Sequence, residues 1–202
     1  MTKNWYASLL YCFNQLGAKK NVFITFGYTH AMYSPSKGDY SYNRIIEPLQ
    51  GFCNLSIPSK PTALITCLGN EPNRIDGLQE YFDATLFLFY TDSIFDNEFA
   101  AEVEGLHEEL IAATKLENVF KFPITDLIFT YYLLQNLCTV LLNEFRIIIA
   151  PCSPKPFALL SMLNALHMDD FIEVWRISPG ASVAKIDRIP NGYVSVLEVS
   201  FV

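Results

Sequence analysis

From residue 62 onward the chain alternates short apolar runs with amphipathic stretches, and no other feature constrains its fold as tightly. Thr62 to Leu68 is apolar on both faces, as a central parallel strand covered by helices on either side must be. Gly69-Asn70-Glu71-Pro72 breaks the run. Residues 73–82 carry Ile75, Leu78 and Phe82 at spacings of three and four, which predicts a helix face. Thr85 to Tyr90 reads as the next strand. Residues 96–115 place Phe99, Val103, Leu106, Leu110 and Ala113 on one stripe, with Glu102, Glu104, Glu108 and Glu109 on a solvated face. Asn118 to Phe122 is a short strand stopped by Pro123.

Thr125 is the expected N-cap of a helix over 126–143. Phe145 to Ala150 is apolar and β-branched, a further strand. Ser153 as N-cap and Pro154 as first helical residue predict a helix over 155–167. Phe171 to Ile177 alternates as an edge or half-covered strand does. Tyr193 to Val202 is a last strand, paired antiparallel after the turn at Pro190-Asn191-Gly192.

Five strands alternating with four helices spell a βαβ series. The expected fold is α/β, a Rossmann-like three-layer αβα sandwich with a mostly parallel central sheet and an N-terminal helix/strand extension. Two units follow: a basic extension over 1–61 and a Rossmann-like domain over 62–202. In the extension Trp5 to Leu16 reads as a helix, Val22 to Tyr28 as a strand, and His30 to Asn43 as a long loop. The pattern leaves open whether this segment extends the sheet or caps it.

Charge separates the same two units. The first 61 residues hold six basic side chains against two acidic ones, and the remainder eight against nineteen, for a net −7. A chain this acidic does not bind nucleic acid by bulk attraction, because phosphate binding runs on Lys and Arg. A content of 51% hydrophobic and 17% charged residues excludes a disordered chain. The run from Leu127 to Leu142 is shorter than the roughly 20 residues of a bilayer span. It carries Gln135 and Asn136, so a buried helix is expected and no membrane partner. The start of the chain leads into a helical pattern and does not read as a signal peptide. Cys12, Cys53, Cys67, Cys138 and Cys152 form no C-x-x-C pair, and with His30, His107 and His167 they show no metal spacing. A reducing, cytoplasmic setting without cofactor or metal is the default.

In an open α/β sheet a ligand sits outside the carboxyl ends of the strands, where the crossover direction reverses. Those ends hold Gly69, Asn70 and Glu71; Thr91, Asp92 and Ser93; Thr125 and Asp126; Cys152, Ser153 and Lys155; Ser178 and Gly180. The expected ligand-binding set is Gly69, Asn70, Glu71, Thr91, Asp92, Ser153 and Lys155. Gly69 permits close backbone approach, and the following helix N-terminus favours an anion. Lys155 opposes the dipole of its own helix, a conflict that a bound anion removes. Neither G-x-G-x-x-G nor G-x-x-x-x-G-K-[ST] occurs. Tyr28, His30, Tyr33, Tyr40 and Tyr42, with Lys37 and Arg44, either clasp bases or pack the early loop onto the domain. His30 is a lone candidate base. No nucleophile–base pair or carboxylate pair stands out, so no catalytic residue is assigned.

Residues 62–177 resemble the CRISPR-associated Rossmann fold, the sensor domain of cyclic oligoadenylate signalling. The resemblance lies in Leu68-Gly69-Asn70-Glu71-Pro72 after the first strand, Tyr90-Thr91-Asp92 after the second, and a loop ending in Lys155 after the fourth. It implies a nucleotide or oligonucleotide second messenger, antiviral defence and a homodimer. The fourth-strand loop reads Pro151-Cys152-Ser153-Pro154-Lys155, where the family has Gly and Thr, and its prolines offer no amide. No R-x(4–6)-H nuclease signature appears, so no effector domain of that kind is expected. Three functions follow: a sensor or regulatory protein binding a nucleotide-type anion; a non-catalytic interaction subunit of a larger complex; and a small nucleotide-cleaving enzyme. The near-continuous apolar surface of helix 126–143 speaks for the second.

Overall fold

The computed structural model describes residues 2–32, 45–53, 59–71, 75, 77–92, 97–168, 171–178 and 189–201. In chain order the elements are α1 (Lys3–Gly17), β1 (Val22–Ala31), β2 (Ile45–Pro48), β3 (Thr62–Cys67), α2 (Leu78–Phe82), β4 (Ala84–Thr91), α3 (Asn97–Leu106) and α4 (Glu108–Ala113). A 3-10 turn at Leu116–Asn118 leads to β5 (Val119–Phe122), α5 (Leu127–Leu141), β6 (Arg146–Ala150), α6 (Lys155–His167), β7 (Ile172–Ser178) and β8 (Pro190–Phe201).

Six strands form one sheet in the order β2-β7-β6-β3-β4-β5. β3 to β7 are mutually parallel, and β2 closes the edge antiparallel to β7. The fold is therefore the expected Rossmann-like αβα sandwich. Every residue of β3 is buried, which is why Thr62 to Leu68 shows no alternation. β7 is not an edge strand, because β2 pairs along it from Ile45–Ser178 to Pro48–Trp175.

The two faces of the sheet carry separate cores. Leu64, Leu86, Leu88 and Ile148 point toward α2 and α3. Ile65, Phe87, Phe89, Ile147 and Ile149 point toward α1, α5 and α6. On this second face α6 is buried from Pro156 to Ala165, ten residues without a solvent-facing stripe. A helix of that kind must be covered on every side. The sheet lies beneath it, α1 and α5 flank it, and a two-stranded antiparallel ribbon of β1 and β8 supplies further apolar cover. Ile24, Phe26, Leu197 and Phe201 are the ribbon's inward side chains. β8 thus pairs with β1, and the first 61 residues contribute to the sheet edge (β2), to the flanking layer (α1) and to the ribbon (β1).

Local chemistry sets the helix ends differently from the sequence reading in several places. Asp126, not Thr125, caps α5, its Oδ1 accepting the Phe129 amide at 2.9 Å. A carboxylate at an N-terminus gains from the helix dipole as well as the bond. α5 itself has one buried face, Leu127, Thr130, Leu134, Cys138 and Leu141, so the helix covered all round is α6. The expected helix over 96–115 breaks at His107 into α3 and α4. The helix expected over 73–82 is described only from Leu78, after Gly77 in a left-handed conformation at φ 73°. Among the described residues no helix is long and apolar enough to cross a membrane.

Phe157 sits where both flanking strands meet the first turn of α6, with ring centroids 5.2 Å from Phe89 and 5.6 Å from Phe122. Phe157→Ala opens a cavity that this clamped helix cannot close. The expected loss is about 3–5 kcal/mol, measured by urea denaturation.

Candidate functional site

The chain leaves β3 for β4 and β5 on one side, then returns to β6 on the other. The crossover direction reverses between β3 and β6, so the site position lies at their carboxyl ends. There the structure brings three of the expected residues into one row. Cys67 pairs with Phe89 and Thr66 with Ala150, so continuing the register two and three residues sets Thr91, Gly69 and Ser153 side by side. Gly69 and Ser153 touch: a Cβ at residue 69 would meet Ser153 Cβ and lie 2.6 Å from its Oγ. Glycine is required here by close approach, not by an unusual φ. Ser153 therefore occupies the crevice, and any ligand must sit on the rim above it.

Ser153 does not cap α6. Pro154 takes the cap position, the helix starts at Lys155, and Pro156 follows in the first turn. The helical ladder begins with the Ala158 amide on the Pro154 carbonyl at 3.4 Å, which leaves the Lys155 and Phe157 amides outside it. Lys155 is exposed at the start of this 13-residue helix.

Thr91 is the most informative member of the row. It is 2% exposed, and its hydroxyl has no hydrogen-bond partner among the described residues. Strand alternation puts it on the same face as Phe89, one step closer to the rim. Phe89 and Phe122 both pack on Phe157 in the first turn of α6, and Phe122 is the register partner of Thr91. The unsatisfied hydroxyl thus faces the start of α6. A buried hydroxyl left without a bond costs about 1–3 kcal/mol, and a ligand atom at that place would recover it.

The remaining expected residues sit less centrally. Asn70 is half-buried and Glu71 exposed beside Gly69. Asp92 is half-buried, with its amide on the Phe122 carbonyl at 2.9 Å. Among the described residues the first helix after the Gly69 loop is α2, which starts at Leu78. Cys152 is half-buried, 3.7 Å from the Thr66 hydroxyl, which itself donates to the Ala150 carbonyl at 2.8 Å. Ser93, Gly180, Tyr33, Lys37, Tyr40, Tyr42 and Arg44 lie outside the described residues. Among the described residues no three His, Cys, Asp or Glu side chains are placed to hold a metal.

His107 is the residue that sequence reasoning missed. It lies at the break between α3 and α4, is 4% exposed, and its Nε2 donates to the Gly69 carbonyl at 2.8 Å. The acceptor is a carbonyl, so Nε2 carries the hydrogen. The buried stripe of these helices runs Ala100, Val103, His107, with Ile111 packed at its edge, not through Leu106 and Ala113. The spacing of three and four from Ala100 was the available signal. Outside the rim, a shallow depression of about 360 Å3 is lined by Tyr90, Glu104, Glu108 and Ile111 on the opposite face of β4. Lys121 lies over the Tyr90 ring at 5.1 Å and bonds Glu104 at 2.6 Å.

Tyr28 and His30 belong to β1, not to a loop. His30 is buried with Nε2 2.8 Å from Ser195 Oγ, and the Ser195 hydroxyl reaches the Thr125 carbonyl at 3.3 Å. Tyr28 and Tyr193 pack edge-on against its ring at 4.8 and 5.4 Å between centroids. This chain of bonds fastens the ribbon to the start of α5. Burial lowers the His30 pKa from its ordinary 6.5.

Gly69→Ala should lower stability by about 1–3 kcal/mol through overpacking, and Ser153→Gly in the same chain should restore most of it. Urea denaturation of the two single variants and the double variant checks the coupling. His30 adds a pH dependence. The unfolded chain takes up this proton near pH 6.5, while the folded chain resists it until lower pH. Its contribution is whole above 6.5 and is lost as pH falls from there toward the folded pKa. A stability profile from pH 8 to 5 should fall more for the native chain than for His30→Gln, at roughly the pH of free histidine.

No protein-family model matches the chain, and no curated protein matches it.

Proposed function

We propose that this is a Rossmann-like sensor or regulatory protein that binds a nucleotide-type anion on the rim of its sheet, at the start of α6. The single observation that carries this reading is the buried Thr91 hydroxyl, which has no hydrogen-bond partner among the described residues and lies on the strand face toward that helix start. The reading joins to it the Ser153 hydroxyl on the neighbouring strand end and, in the first turn of α6, the Lys155 ammonium and the Lys155 and Phe157 amides. These are donors, and donors at a helix N-terminus select an anion. Pro154 and Pro156 withhold two amides, so the site suits one phosphate group at a time and not a wrapped pyrophosphate. The resemblance to the CRISPR-associated Rossmann fold supplies the wider context, an oligonucleotide second messenger in prokaryotic antiviral defence. On that reading the protein works in the cytoplasm as a homodimer or as a subunit of a larger complex.

A second reading, a non-catalytic interaction subunit, is favoured by the exposed apolar side chains of α5: Ile128, Phe129, Tyr132 and Val140 are each at least half open to solvent. A nucleotide-cleaving enzyme has less support. Ser195 and His30 stand at bonding distance, but both are buried in the seam between the ribbon and α5, away from the rim.

The test is thermal unfolding with a panel of mononucleotides and of linear and cyclic oligonucleotides. A ligand that binds only the folded chain raises Tm. At least one member should do so, and the rise should vanish in Lys155→Ala and Thr91→Val. Without ligand, Thr91→Val should unfold no earlier than the native chain, since it exchanges an unsatisfied hydroxyl for a methyl of similar shape. No shift with any member would overturn the reading.

A further inference from the structure

The first turn of α6 has fewer free amides than a helix normally offers. A helix leaves its first amides without an intrahelical partner, and here those positions are Pro154, Lys155, Pro156 and Phe157. The two prolines have no N–H, so the Lys155 and Phe157 amides are what remains. Neither takes a backbone bond among the described residues, and no side chain caps the helix. Phe157 is fully buried, so its amide lies away from bulk water. A buried amide without a bond is rare, because it costs about as much as a lost hydrogen bond. Thr91 repeats the pattern from the sheet, with a buried hydroxyl that has no partner among the described residues. Thr91 and Phe157 frame one aromatic cluster. Phe89 lies two residues before Thr91 on the same strand face, Phe122 is the register partner of Thr91, and both rings pack on Phe157. Lys155 is exposed and supplies a cation at the same helix start.

We propose that this site selects the terminal phosphomonoester of a linear nucleotide over the phosphodiester of a cyclic or internal one. Selection of this kind rests on the anion reading above and narrows it. The unpartnered donors are the Thr91 hydroxyl and the Lys155 and Phe157 amides, and together they match three acceptor oxygens. A phosphomonoester presents three free oxygens and carries a charge of about −1.5 to −2 at neutral pH. A phosphodiester presents two and carries a single charge. It leaves one of these donors unmatched and gains less from the Lys155 ammonium and the helix dipole. Access points the same way. Ser153 lies against Gly69 between β3 and β6, where a Cβ at residue 69 would come 2.6 Å from Ser153 Oγ. A ligand therefore approaches from the rim with its phosphate first, and a terminal phosphate has one ester bond to lead back out where a diester has two. Acids border the rim: Asp92 follows Thr91, and Glu71 follows Gly69 by two residues. A second phosphate laid along the rim meets carboxylates in place of donors, so the site takes one terminal group and no run of them.

Isothermal titration calorimetry of the full chain with adenosine 5′-monophosphate and adenosine 3′,5′-cyclic monophosphate compares a monoester with a diester on one nucleoside. The monoester should bind about tenfold more tightly or better, the worth of one matched bond to a charged group. A linear adenine dinucleotide with a 5′-phosphate should likewise outbind the same dinucleotide without it. Thr91→Val should weaken the monoester by about tenfold and the cyclic diester little, because two amides remain for the two oxygens of the diester. Thr91→Ser keeps the hydroxyl and should restore the discrimination, whereas a merely structural role for Thr91 would move both ligands alike. A cyclic ligand that binds as tightly as the linear one, or a discrimination that survives Thr91→Val, would overturn the end-on selection and leave the anion reading in place. Absence of binding by every member would overturn both.

Discussion

The fold depends on the burial of α6. Pro156 to Ala165 offer water no polar stripe, and the sheet can cover only one side of a helix. The other sides must be supplied by chain from elsewhere. α5 supplies one and α1 another, while the ribbon of β1 and β8 completes the cover. The two ends of the sequence are therefore part of the same core as the Rossmann-like centre. Leu10, Leu197 and Phe201 stand in one apolar cluster with Leu160 and Leu163. The seam is fixed by polar bonds as well, with His30, Ser195 and the Thr125 carbonyl linked in sequence.

The same helix also connects core to site. Its first turn is held from below by Phe89 and Phe122 through Phe157, so the position of its N-terminus relative to the sheet rim is set by aromatic packing. On that rim the register of three parallel strands lines up Thr91, Gly69 and Ser153. From the far face His107 holds the Gly69 carbonyl. The rim is thus built from both layers of helices.

Much of this was legible in the sequence. The strands at Thr62–Leu68, Thr85–Tyr90 and Phe145–Ala150 and the helix over 155–167 are local patterns, and local patterns survive in the fold. Six of the seven expected ligand residues cluster at the ends of β3, β4 and β6, and Lys155 opens the next helix, because a βαβ series dictates where strand ends fall. What the pattern did not show depends on long-range pairing or on competition between neighbours. Thr125 lost the cap to Asp126, one residue on, because a carboxylate gains from the dipole. Ser153 does not cap α6: Pro154 takes that position, while Ser153 lies against Gly69, more than eighty residues away in the chain. His107 is absent from the expected stripe of Phe99, Val103, Leu106, Leu110 and Ala113, yet it is buried with Ala100 and Val103.

The sequence by itself determined the alternation of strands and helices, the parallel sheet that follows from it, and the end of the sheet at which the strand-to-helix loops gather. Those consequences flow from hydrophobic period and chain direction alone. The tertiary structure decided that β8 pairs with β1, that β2 closes the sheet, and that Ser153 lies against Gly69 at the switch point. Each of these is a contact between residues far apart in the chain, and side-chain period carries no information about which distant partner a face will meet.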